Sequence, residues 1–116
     1  MKVRFLGHSC IEIIGYRHIV IDPDFTTEPE PGVEYICVTH GHQDHIGRIA
    51  EIPTGLVIAS PDVCQMAIQM GVSRHRLRPV QPGEKNANIL ALPGYSQTRG
   101  FFYRFLYFLL YRRKPE

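Results

Sequence analysis

Short apolar runs separated by turn residues organise most of this chain. Val3 to Leu6 is a brief apolar strand pattern. Cys10 to Ile14 and His18 to Ile21 flank Gly15-Tyr16-Arg17, a connection of hairpin type. That run ends at Asp22-Pro23, where proline stops a strand. Residues 26–34 carry three glutamates, two prolines and a glycine, and read as a surface loop. Tyr35 to Thr39 is compact, β-branched and apolar, the pattern of a buried strand. After a polar stretch, Ile46 to Ile52 is compatible with a helix that stops before Pro53, and Gly55 to Ala59 is a second buried-strand pattern. Ser60-Pro61-Asp62 opens a helix, with an N-cap serine, proline at the first helical position and an early carboxylate; Gly71 closes it. Leu77 to Val80, a Pro82-Gly83-Glu84 turn and a strand from Asn88 to Leu92 follow. Strands alternating with short helices predict a layered α/β domain.

Phe101 to Tyr111 breaks the pattern, being aromatic and aliphatic with only Arg104 interrupting. Its eleven residues are too few to span a bilayer, which takes about twenty. The segment is a helix or strand buried in a core, a partner interface, or a membrane-surface element with the following basic residues at lipid head groups. Packing or an interface is the preferred reading.

Composition narrows the class. At 116 residues, 44% apolar and 21% charged, the chain is an ordinary globular domain with enough length for a core. A formal net charge of +2 gives no footprint for nucleic acid, and without residues 112–116 the charges balance. Cys10, Cys37 and Cys64 are odd in number and form no Cys-x-x-Cys pair. They predict free, buried thiols in a reducing compartment, and with no signal-peptide pattern at Met1–Gly7 the expected location is cytoplasmic.

The chemistry concentrates in Thr39-His40-Gly41-His42-Gln43-Asp44-His45. On extended backbone His40 and His42 point to one side, and Asp44 and His45 follow where the chain turns. Imidazoles with a carboxylate suit zinc, or iron or manganese in a more oxygen-rich site. The stretch follows a buried-type strand, where open α/β sheets place ligand sites. His8, at a strand end, is a candidate to face such a site. His18 after a turn and His75 among arginines read as surface residues. No base is placed to activate Ser9 or Cys10, and Cys10 reads as core.

His40-x-His42-x-Asp44-His45 after an apolar strand resembles the signature of the metallo-β-lactamase superfamily. Phe5-Leu6-Gly7-His8-Ser9-Cys10, Ile21-Asp22-Pro23 and Val38-Thr39-His40-Gly41-His42 resemble its small metal-dependent hydrolase branch, which includes proteins similar to L-ascorbate-6-phosphate lactonase. The resemblance covers residues 1–95, leaving 96–116 as an aromatic and basic segment for packing or an interface. It implies an αββα sandwich with a mixed sheet and flanking helices, of which this chain is one half or a truncated form. It implies a mono- or dinuclear metal centre, with His40 and His42 on one metal and Asp44 and His45 on the other, Asp44 also being the catalytic carboxylate. It implies hydrolysis of an ester, lactone or phosphoester in a small-molecule substrate by metal-activated water. Asp22 matches a strand-end aspartate that orients the histidine stretch from behind, and capping the turn is its other reading.

The family's third histidine for the first metal is expected after Ile89 to Pro93. Pro93-Gly94-Tyr95-Ser96-Gln97 stands there, and no histidine follows. A bridging aspartate and a last histidine belong to a second half. A lone sheet of such a sandwich leaves apolar surface wet at about 25 cal/mol per Å². The half is therefore expected to pair with a second polypeptide, another copy of itself, or its own segment 101–111 folded back. An inactive truncated subunit or metal-binding assembly protein is the alternative to a hydrolase completed by a partner chain.

Overall fold

The computed structural model describes residues 1–39 and 46–81 in full. Beyond them it describes the backbone of 85–86, 89–98 and 101–110. The histidine stretch 40–45 and the expected turn at 82–84 lie outside the described residues.

Six strands form one mixed sheet in chain order: β1 (Lys2–Gly7), β2 (Cys10–Ile14), β3 (His18–Ile21), β4 (Tyr35–Cys37), β5 (Leu56–Ala59) and β6 (Leu77–Pro79). The first two pairings are antiparallel, the second being the expected hairpin about Gly15-Tyr16-Arg17, and β3 to β6 run parallel. β1 consequently points the same way as the parallel set. A single row crosses the sheet through Phe5, Ile11, Ile21, Cys37, Ile58 and Arg78, so the carboxyl ends of β1, β3, β4 and β5 share one edge.

The helix α1 (Pro61–Gln69) follows β5 and packs on one face of the sheet. Val63, Cys64 and Ala67 join Leu6, Val20, Ile36, Val38, Val57 and Leu77 in the main core. The pattern over 46–52 is realised as a 3₁₀ turn, Ile49–Glu51, rather than a full helix. Ile46, Ile49 and Ile52 are all buried, Ile49 within the 3₁₀ turn and the other two on either side of it.

The sheet's other face is also apolar. Ile19, Cys37, Ile58 and Val80 are buried there, with Ile13, Ile21 and Tyr35 packed against them. At the β1 end Val3 and Phe5 remain 60% and 69% exposed. Apolar residues on both faces are what parallel strands show when covered on both sides.

The 101–111 segment is a strand for its described part, β9 (Phe101–Leu110). It pairs antiparallel with β8 (Ile89–Thr98) along the whole length of both, from Ile89 opposite Leu110 to Thr98 opposite Phe101. The two-residue strand β7 (Lys85–Asn86) pairs with β8 only at Ile89 and Leu90, completing a three-stranded sheet. β8 runs well past the expected end at Leu92. Among the described residues β7 does not reach Pro93, and proline is tolerated where a strand has no partner on one side.

Candidate metal centre

The shared carboxyl edge gathers the residues that lead into and out of 40–45. Asp22 ends β3 in the left-handed region, with φ at +52°. A non-glycine residue holds that conformation only where its surroundings fix it. Its N–H donates to the Cys37 carbonyl at 2.8 Å, carrying β3–β4 pairing past the end of β3. Its buried carboxylate accepts the Thr39 N–H at 2.8 Å, and the Thr39 hydroxyl lies 3.0 and 2.8 Å from its two oxygens. The residue immediately before His40 is thus fixed, backbone and side chain, to the neighbouring strand end.

The return from the stretch is fixed to the same turn. Arg48 N–H donates to the Pro23 carbonyl at 2.9 Å, and its Nη1 donates to the Phe25 carbonyl at 3.0 Å. Sequence reading gave Thr39 and Arg48 no role. Neither carries a local signal, because each acts on a residue about twenty positions away.

His8 stands at the same edge, exposed and with φ at +49°. Gly7 before it has φ at +109°, and an added Cβ there would collide with Thr26 Oγ1. Thr26 and Thr27 both donate backbone N–H groups to the Leu6 carbonyl, at 2.8 and 3.0 Å. Glycine lets the loop 24–27 close on the strand end and turns His8 outward. His8, Asp24, Ile46, Arg48, Met66 and Met70 line an open groove of about 680 Å³.

A second polar cluster lies away from this edge. Glu12 is fully buried. Arg4 Nε donates to its Oε1 at 2.7 Å, His18 Nε2 lies 2.8 Å from its Oε2, and the Glu30 N–H donates to the same Oε2 at 2.7 Å. Burial pushes the Glu12 carboxyl up, but the His18, Arg4 and Glu30 hydrogen bonds and the Arg4 charge hold it below its ordinary 4.5. His18 is therefore not a surface residue. It is 8% exposed, because the charge at core-facing Glu12 draws it inward. His75 is exposed, as expected.

The three cysteines are free and buried. Burial, with the charges of Asp22, Glu12 and Asp24, pushes the Cys10 thiol up to about 12. Burial and Asp62 push Cys64 to about 11. Neither is poised as a nucleophile.

No family model matches the chain. It is similar to several proteins named UPF0173 metal-dependent hydrolase. The one from Thermococcus onnurineus is 39% identical over 79 residues, covering 60% of this chain and 35% of the relative. The Sinorhizobium medicae protein is 32% identical over 103 residues, covering 77% and 42%. The Azorhizobium caulinodans protein is 31% identical, covering 84% and 47%. The chain thus spans less than half the length of each. Among the described residues no helix is long and apolar enough to cross a membrane.

His40, His42, Asp44 and His45, the expected ligands, lie outside the described residues. Among the described residues no three His, Cys, Asp or Glu side chains gather so as to hold a metal ion. The donor chemistry of 40–45 fits a transition metal: three imidazoles and a carboxylate, delivered from a strand end anchored by a buried, hydrogen-bonded aspartate.

Proposed function

We propose that the chain is the N-terminal half of a metal-dependent hydrolase of the metallo-β-lactamase superfamily, from the branch similar to L-ascorbate-6-phosphate lactonase. Residues 1–95 form the half domain, and 96–116 serve packing or an interface. His40, His42, Asp44 and His45 hold zinc, or manganese or iron, in a mono- or dinuclear site, and Asp44 is the catalytic carboxylate. When bound, the metal lowers the pKa of water and polarises the carbonyl or phosphoryl oxygen of an ester, lactone or phosphoester. Asp22 holds Thr39 and so fixes the direction in which the chain enters the ligands. His8 borders the groove in which a small substrate lies. The sheet's second apolar face is covered as in an αββα sandwich, and a second copy or a partner chain, engaged through 101–111, supplies the missing ligands.

The observation that carries this reading is the Asp22–Thr39 pairing at the carboxyl edge, directly before a His-x-His-x-Asp-His stretch. The relatives' printed name supports the hydrolase class. Pro93-Gly94-Tyr95-Ser96-Gln97, standing where the resemblance implies a third histidine, supports a second reading, an inactive subunit that keeps the metal.

Zinc loading, desalting and native mass spectrometry test the metal. Retention below about a tenth of an equivalent sinks both readings, because a structural or catalytic site binds far more tightly. Loss of ester or phosphodiester hydrolysis in His40→Ala supports the enzyme, and unchanged hydrolysis removes it.

A further inference from the structure

Both ends of the 40–45 stretch are tied to one short turn, Asp22 to Phe25. The entry is tied through Thr39. The exit is tied through Arg48, whose backbone N–H reaches Pro23 and whose Nη1 reaches the Phe25 carbonyl. The guanidinium also stacks over the Phe25 ring, 4.5 Å from its centroid, and the ring is 3% exposed and therefore fixed. Glu51 holds the remaining face of the fork, accepting Nε at 2.6 Å and Nη2 at 2.7 Å. That ion pair is solvent-exposed, so its contribution to stability is small; what it does is set the plane of the guanidinium.

We propose that Arg48, oriented by Glu51 and stacked on Phe25, is a positioning residue for the metal donors of 40–45. The proposal rests on the metal-binding reading above. A segment whose two flanks are tied to one turn has fewer conformations open to it than one tied at a single flank. Donors so constrained give up less freedom on binding and release metal more slowly. Arginine is required because no other side chain reaches a carbonyl, an aromatic face and a carboxylate together in one plane.

Zinc release to a chelator from the full chain, together with melting of the zinc-free protein, tests this. Arg76→Met is the control for a purely structural arginine. Arg76 donates to the Gly55, Ile52 and Thr54 carbonyls, each at 2.9 Å, at the opposite edge of the sheet. Arg48→Met is expected to release zinc about ten-fold faster or more, Arg48→Lys by a smaller factor, and Arg76→Met within about two-fold of wild type. Glu51→Gln carries the comparison should Arg48→Met fail to fold, and is expected to accelerate release while the zinc-free midpoint stays near wild type. Equal acceleration in Arg76→Met, or wild-type release rates in both Arg48→Met and Glu51→Gln, overturns the positioning role and leaves the metal site standing. A wild-type chain that retains no zinc overturns both.

Discussion

At the scale of single residues, the most consequential group outside the candidate site is Glu12. Strand alternation places it on the core-facing side of β2, between Cys10 and Ile14, where an unpaired carboxylate is costly. Arg4 faces it directly in the β1–β2 register, and His18 is its diagonal neighbour through Val20 on β3. A charge at a core-facing strand position was the signal that could have brought His18 inward. Reading His18 alone, as a polar residue after a turn, hid it. The Glu12 carboxyl sits lower in the folded chain than the ordinary 4.5, so its stabilisation is complete above that value and is lost as pH falls through the folded value. Urea midpoints should therefore fall as pH drops below 4.5, and Glu12→Gln should flatten that fall while costing on the order of 3 kcal/mol at neutral pH. An unchanged acid slope in the variant would show that other carboxylates carry it. Asp22 is legible in the sequence through its match to a strand-end aspartate of the resembled family, whereas its partner Thr39 emerges only from the geometry of two adjacent strand ends.

At the scale of elements, periodicity located every strand of the first sheet, because β-branched runs bounded by Gly and Pro leave few alternatives. It failed where one pattern fits two coils, as in the 3₁₀ turn at Ile49–Glu51. Helix α1 begins at the expected place but is capped differently. Ser60 Oγ accepts no helix N–H and instead pairs with Asp62 Oδ1 at 2.6 Å. The helix start therefore depends on Pro61 and on burial of Val63, Cys64 and Ala67 rather than on a serine cap. Ser60→Ala should cost less than the usual ~1 kcal/mol for removing an N-cap. A chemical-denaturation midpoint lowered by the full amount would restore the capping role. The Phe101–Tyr111 run was ambiguous between helix and strand for a physical reason: it is apolar at every period. Its pairing with β8 is a long-range fact that no local window contains.

At the scale of the whole molecule, that same lack of period has a consequence. Successive residues of a strand lie on opposite faces, so Phe101, Tyr103, Phe105, Tyr107 and Leu109 share one face of β9. Phe102, Arg104, Leu106, Phe108 and Leu110 share the other. Both alternating sets are apolar in sequence but for Arg104, so the proposed sandwich needs a cover for each. The proposed sandwich pairing puts the covering surface in another copy or a partner chain. Sedimentation should therefore show species heavier than the 13.3 kDa monomer. Two paired substitutions separate the faces: Tyr103→Lys with Tyr107→Lys, and Phe102→Lys with Phe108→Lys. One pair should abolish association with a stability change within about 0.5 kcal/mol, because it alters only the surface used between chains. The other should cost several kcal/mol, on the order of two buried aromatic side chains, as a set packed within the chain would. A wild-type chain that sediments as a monomer at all concentrations, and tolerates both pairs without unfolding, would leave β9 with no covered face and remove the need for a partner.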